Sequence, residues 1–360
     1  MLILVFLFSL GLTGTLFYLA RSAKLLPTVR ARDVHSTPKP RVGGVAMWLA
    51  VMASFLFVVN STAPQLLDFG NPHYWGIDRA LWGIIAGMTV ILVVGLLDDL
   101  FSLSPFVQLG GQFLAAFSLV MAGIGVRYIR LPHNYDLRFD QIPIHLPHFL
   151  GGETIWLWSA LFTIVWVVAM INVMNFFDGL DGLAGSVAMT AAAVLVFVSL
   201  RVGFLATATL AIILAGSAAG FLPWNWHPSK IFMGTVGSQL LGFTLGVIAI
   251  ISGGKVATAV LVLGIPLFDA GIVILRRLAA GQSPFQADQR HLHHRLLKIG
   301  LSTPWVVIVI NAVAVTFGVL ALRTQQSTQK GLLTLLLALC MGLFILITYL
   351  LEQRSKKRVD

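Results

Sequence analysis

Charge is scarce in this sequence. Only 11% of its 360 residues are Asp, Glu, Lys or Arg, while 58% are hydrophobic. A soluble domain carries about a quarter charged residues, so a water-facing surface of this size cannot be built and the membrane class follows. Cysteine is nearly absent. The single Cys340 excludes an intrachain disulfide and a cysteine metal cluster. A basic stretch ahead of the first apolar run is lacking too: Met1 opens directly into apolar sequence, which predicts a retained helix rather than a cleaved signal peptide. Internal repeats, low-complexity tracts and long linkers are also missing, so 1–360 is read as one domain.

What the chain does have is apolar runs. About 20 apolar residues in a helix cross the hydrocarbon core. Eleven such runs are legible, near 1–20, 43–59, 80–97, 105–126, 154–173, 183–200, 203–222, 234–252, 256–275, 304–322 and 331–351. The predicted fold is an all-α, polytopic transmembrane helical bundle. The net charge of +10 invites a nucleic-acid partner, but the basic residues sit in short loops between apolar runs. The positive-inside rule accounts for them, and no nucleic acid is expected. Sixteen of the 24 Lys and Arg fall on one side of the predicted membrane, in 21–42, 223–233, 276–303 and the tail. That bias puts the N-terminus outside and the C-terminus in the cytoplasm. The same topology gathers Asp98, Asp99, Asp178, Asp181, Asp269 and Asp288 at or near the cytoplasmic face. Acidic residues do not set topology, so a shared site is the economical cause. On the outer side, 127–153 partly alternates around Pro132, His133 and Asn134, the pattern of a small hairpin.

Four stretches carry candidate chemistry. Asp98 and Asp99 close an apolar helix, where they oppose the helix dipole. Placing them at membrane depth costs about 2.5–3.5 kcal/mol on insertion scales. A solvated helix end is the plain alternative, yet acids at this depth mark sites by default. The second stretch, 172–182, holds Asn172, Asn175, Asp178 and Asp181 at spacings of three, with Gly179 and Gly182 among them. Each pair shares a face if the segment is helical, and the glycines permit a sharp break. Capping of the next helix explains one aspartate, not the whole set. The third stretch, Gly234 to Ser238, opens a helix and can present backbone N–H groups to an anion, although small residues also serve helix packing. The fourth, His291, His293, His294 and Arg295, follows Asp288 in a basic loop and suits a pyrophosphate or nucleotide. A structural metal is disfavoured there because no cysteine completes a zinc set. Asp269 either pairs with Arg276 or Arg277 or joins the site. His73, His133, His145 and His148 read as surface residues, and Trp224 and Trp226 as interfacial aromatics.

Taken in order, Asp98 and Asp99, the 172–182 run, Phe232-Met233-Gly234 and the histidine loop resemble the polyprenyl-phosphate N-acetylhexosamine-1-phosphate transferases of glycosyltransferase family 4. The likeness runs from Asp33 to Leu297. The histidine loop is similar to the WecA/TagO branch, which uses UDP-N-acetylglucosamine. The MraY branch, which uses UDP-MurNAc-pentapeptide, has three consecutive histidines there. Lys39 to Gly44 is similar to the cytoplasmic segment that opens the family's second helix. The resemblance implies transfer of GlcNAc-1-phosphate from UDP-GlcNAc to undecaprenyl or decaprenyl phosphate, with UMP released. The reaction would be a first membrane step of a cell-envelope glycan, at the cytoplasmic face of a bacterial inner membrane. It implies Asp98 and Asp99 as the catalytic pair that activates or positions the lipid phosphate. Asn175 would help hold Mg²⁺, for which Mn²⁺ can substitute. Asn172, Asp178 and Asp181 would bind donor, and Phe232 would stack on uracil. His291, His293, His294 and Arg295 would contact sugar and pyrophosphate. A second copy of the chain is a further candidate partner.

One position departs from the pattern. Where the family has a metal-binding Asp after Phe-Met-Gly, this chain has Thr235, a neutral and poorer ligand for a hard cation. A binding form with impaired turnover is therefore expected as an alternative. A transporter is the competing class outside the family. It would show internal repeats or acids near the midplane, and neither is legible.

Overall fold

Inside a bilayer every backbone N–H and C=O must find its partner within the chain, so a long apolar run becomes a helix. The structure is a computed structural model that describes residues 1–23, 38–131, 135–145, 154–251, 256–283, 291–324 and 326–356, with side chains described as far as 347. Its helices are α1 Leu2–Ser22, α2 Gly43–Val59, α3 Arg79–Phe101, α4 Pro105–Met121, α5 Leu157–Phe177, α6 Leu183–Arg201 and α7 Leu205–Asn225. They continue with α8 Gly234–Ile251, α9 Val256–Val262, α10 Gly264–Ala279, α11 Leu292–Lys298, α12 Thr303–Arg323 and α13 Ser327–Lys356.

Each predicted run falls on one of these helices or on the α9–α10 pair. Among the described residues, eight helices are long and apolar enough to cross a membrane alone, and nine spans result if α9 and α10 form one. The remaining apolar helices, α2 and α4, are 17 residues long, the short end of a spanning helix. The protein is thus a multi-pass helical membrane protein. The run at 256–275 is not one straight helix: α9 and α10 meet at an angle of 83°. Pro266 has no N–H to give to the Val262 carbonyl, and the break falls there. The joint at Gly253–Lys255 lies outside the described residues, as do Asp33, Asp288 and Arg290.

The fold is not purely α. Three short antiparallel hairpins pair β1 His73–Tyr74 with β2 Ile77–Asp78, β3 Tyr128–Arg130 with β4 Asp136–Arg138, and β5 Pro143–His145 with β6 Thr154–Trp156. The expected hairpin is β3–β4, in the register Tyr128 to Arg138; its turn at Pro132, His133 and Asn134 lies outside the described residues. The other two satisfy loop backbone groups over only two or three residues, too few for an alternation to be read.

Helix α8 is the most enclosed of the spans and packs on α2, α3 and α5. Small residues let these backbones meet, as expected of membrane helices. A Cβ on Gly44 of α2 would lie 2.2 Å from the Gly237 nitrogen, and one on Gly242 would lie 2.4 Å from the Met170 carbonyl oxygen. This packing brings the start of α8 against the ends of α3 and α5.

Candidate active site

The end of α3 meets the start of α8. Asp98 and Asp99 sit in the last turns of α3, which runs on to Phe101. Their charges oppose the dipole of their own helix, but the positive end of α8 faces them. The Thr235 amide donates to both oxygens of Asp99, at 3.2 and 3.0 Å. The anion expected at the start of α8 is therefore the protein's own carboxylate. Gly234 lies at φ +68°, a left-handed conformation that suits glycine. A Cβ there would strike the Asp99 carboxylate at 2.4 Å. Asp98 is 6% exposed. It accepts the Thr235 hydroxyl at 2.6 Å on Oδ2 and the Gln108 amide at 2.9 Å on Oδ1. Gln108 was missed by the sequence reading, although an amide inside an apolar helix is a signal of the kind that acids give.

Asn172 and Asn175 lie on α5, but the helix ends at Phe177. Asp178 and Asp181 therefore fall in a loop and do not share a helical face. The two asparagines also diverge. Asn172 exchanges amide hydrogen bonds with buried Gln112, at 2.5 and 3.4 Å, and ties α5 to α4. Asn175 accepts the Ser238 hydroxyl at 2.9 Å and ties α5 to α8. Asp181 is 4% exposed and does not cap α6, whose N-cap is Gly182. It receives the Ser229 hydroxyl at 2.7 Å, the Ser229 amide at 3.0 Å and His227 Nδ1 at 3.1 Å, with Lys39 Nζ at 4.0 Å. Asn225 completes this latch by accepting the Gly182 amide and donating to the Ile231 carbonyl. Asp181 thus holds the α7–α8 loop that carries Phe232. Hydrogen bonds to a charged partner contribute about 1.5–3 kcal/mol each. Asp181→Ala is accordingly expected to lower the thermal midpoint by the equivalent of about 2 kcal/mol or more.

Phe232 is half-buried, and the Lys39 ammonium sits 5.1 Å from its ring centre. Backbone bonds fix the approach of this segment: Phe232 N–H to the Pro40 carbonyl, Gly43 N–H to the Phe232 carbonyl and Gly44 N–H to the Met233 carbonyl. The 39–44 segment thereby joins the site.

The histidines form an arm over the α5–α6 loop. His291 Nδ1 lies 2.9 Å from the Asp269 carboxylate, so the partner expected for Asp269 is corrected from Arg276 or Arg277 to His291. The His291 and His293 rings lie parallel, 5.7 Å apart, and the His293 and His294 rings are 4.4 Å apart. His293 is 1% exposed, and neither ring nitrogen has a hydrogen-bond partner among the described residues. Burial, with His294 and His291 close by, holds its pKa well below the usual value, so the ring is neutral. Its Nε2 presses on Gly179, where a Cβ would approach to 2.3 Å. His293 therefore packs the arm onto the loop as an uncharged ring. His294 and Arg295 are half-buried on the first turn of α11.

Asp178 accepts no hydrogen bond among the described residues, unlike Asp98, Asp99 and Asp181. Its carboxyl is pushed up to about 7 by burial first, then by the charges of Asp99 and Asp181, against the pull of Arg41. Negative charge thus exceeds what Arg41 neutralises. All the donors here are oxygens, which suits Mg²⁺, a hard cation that takes one or two protein ligands alongside substrate phosphates and water. The carboxylate of Asp178 and the amide oxygen of Asn175 are donors of the kind such an ion takes. Thr235 donates its hydroxyl hydrogen to Asp98 and keeps its oxygen lone pairs, so it remains a neutral, weaker oxygen donor beside them.

Acids, amides and a histidine arm thus gather at one end of a multi-pass helical bundle. The family model "Glycosyl transferase family 4" matches residues 81–253. A decaprenyl-phosphate N-acetylglucosaminephosphotransferase of Mycobacterium leprae is 36% identical over 84% of this chain and 77% of its own length. A probable undecaprenyl-phosphate N-acetylglucosaminyl 1-phosphate transferase of Bacillus subtilis is 30% identical over 82% and 76%. The undecaprenyl-phosphate alpha-N-acetylglucosaminyl 1-phosphate transferase of Escherichia coli K12 is 28% identical over 89% and 83%. The chain belongs to glycosyl transferase family 4, among the polyprenyl-phosphate N-acetylhexosamine-1-phosphate transferases.

Proposed function

We propose that this protein transfers GlcNAc-1-phosphate from UDP-GlcNAc to a polyprenyl phosphate, with undecaprenyl and decaprenyl phosphate as the candidate lipids. The observation that carries the reading is the meeting of Asp98, Asp99, Asp178 and the histidine arm at one end of the bundle. We count eleven crossings, with α2, α4 and the bent α9–α10 pair included; an odd number puts the termini on opposite sides, and the bias of Lys and Arg supports an outside N-terminus and a site on the cytoplasmic face of a bacterial inner membrane.

An oxygen of the lipid phosphate attacks the β-phosphorus of the donor. The new P–O bond forms as the bond to the UMP oxygen breaks, and UMP leaves. Asp98, fixed by Gln108 and Thr235, takes the residual proton of the lipid phosphate; its oxygens keep lone pairs for this. Lys39, Arg41 and Arg295 offset the charge of two approaching phosphates, and phosphoryl transfer needs mainly such positioning and stabilisation. Mg²⁺ held at Asp178 and Asn175 would supply further charge neutralisation. A route through an aspartyl phosphate on Asp98 or Asp99 is the alternative, and a trapped phosphosugar adduct would establish it. UMP release is expected with UDP-GlcNAc, polyprenyl phosphate and Mg²⁺, and not with UDP-MurNAc-pentapeptide. No release from UDP-GlcNAc by either the chain or its Thr235→Asp form would overturn the reading.

The hydroxyl bond from Thr235 to Asp98 favours a second reading, donor binding with impaired turnover. In that case UDP-GlcNAc binds while UMP release stays low.

A further inference from the structure

Asp269 is 4% exposed near the start of α10, and no step above uses it. Its carboxylate reaches across to another element. Oδ2 lies 2.9 Å from His291 Nδ1, and Oδ1 accepts the Leu292 amide at 2.8 Å. A carboxylate can only accept, so the Nδ1 position carries the proton that faces it. Nε2 is then the ring atom left for a ligand. The Leu292 bond does a second job: it caps α11, which has no side-chain cap from its own N-cap residue. His291 is 8% exposed and lies flat beside His293, at an interplanar angle of 4°, with Phe176 at 6.4 Å. Ring rotation is therefore hemmed in on the faces, and Asp269 fixes the edge.

We propose that Asp269 is a positioning residue of the transferase, which sets the tautomer and orientation of His291 so that Nε2 is presented to the donor diphosphate. The inference rests on the function proposed above for what Nε2 meets. Its tautomer component stands on the geometry alone.

The discriminating variant is Asp269→Asn. The amide is the same size, but His291 and Leu292 each meet a different oxygen of Asp269, so one of the two donors then faces an NH₂. With the amide oxygen on Leu292, the NH₂ faces Nδ1 and moves the ring proton to Nε2. Asp269→Asn is expected to lower kcat/KM for UDP-GlcNAc at least about tenfold with the thermal midpoint unchanged. In a His291→Ala background the same change is expected to alter the rate by less than about twofold. Parent-like turnover of Asp269→Asn, or losses that multiply in the double variant, would overturn the proposal. ¹⁵N-histidine spectra, with His291 assigned by difference against His291→Ala, are expected to show Nδ1 protonated in the parent and Nε2 protonated in Asp269→Asn. An Nδ1 proton retained in Asp269→Asn would also overturn it. This measurement needs no turnover, so absent UMP release in the parent counts against the function while the spectra still decide the role of Asp269.

Discussion

Thr235→Asp is expected to raise Mg²⁺-dependent UMP release by about 10²-fold over the chain as it stands. The expectation comes from what Thr235 does now. Its amide holds Asp99, and its hydroxyl donates to Asp98 at 2.6 Å. These three bonds tie Asp98 and Asp99 to the start of α8. An aspartate at 235 keeps the amide bond, but its ionised side chain has nothing to donate. Two carboxylates would then face each other at hydrogen-bond distance, and like charges this close cannot both stay ionised without compensation. A divalent ion supplies that compensation. The variant is therefore expected to be less stable than the parent in EDTA and to regain stability with Mg²⁺, by a larger rise in thermal midpoint than the parent shows. Equal UMP release from the two proteins would remove the idea that Thr235 impairs turnover. An equal Mg²⁺ response in stability would show that position 235 does not face the ion.

The helices were legible because an apolar run in lipid has only one backbone solution. That Asp98 and Asp99 lie near Asp178 and Asp181 was legible from where the apolar runs begin and end. What could not be read were the partners of particular side chains. Asp99 caps a helix that begins 135 residues later, and Asn172 pairs with Gln112 at a separation of 60. Periodicity reports which residues are buried near one another along a helix. It does not report which distant helix end will meet them. The same limit explains Asp269. Arg276 and Arg277 were its nearest sequence neighbours of opposite charge, but they lie toward the other end of α10, while His291 returns to the start of it. Asp178 and Asp181 were read together as a pair, yet one is latched into a loop and the other is left open. Gly179 and Gly182 signalled a break between them, and the break separates their roles.

Asp178→Asn is expected to end turnover, with a loss of about 10³-fold, and to make the protein more stable at neutral pH and above. The Asp178 carboxyl is pushed up from the ordinary 3.8 to about 7, chiefly by burial and then by Asp99 and Asp181. A raised pKa means that the folded state holds the proton more tightly than the unfolded state. The favourable contribution is complete below about 4 and is lost as pH rises through about 7. Above that pH the parent carries a half-buried charge beside Asp99 and Asp181, at a cost that asparagine does not incur. The stability gap between variant and parent should therefore widen from pH 5 to pH 8, and Mg²⁺ should narrow it by stabilising the parent alone. Thermal midpoints across that range, with and without Mg²⁺, measure the gap, and UMP release measures the cost. A variant whose midpoint tracks the parent at every pH would mean that the Asp178 carboxyl is under no electrostatic strain. A carboxylate whose removal strengthens the fold and stops the reaction is one whose place is set by chemistry and not by packing.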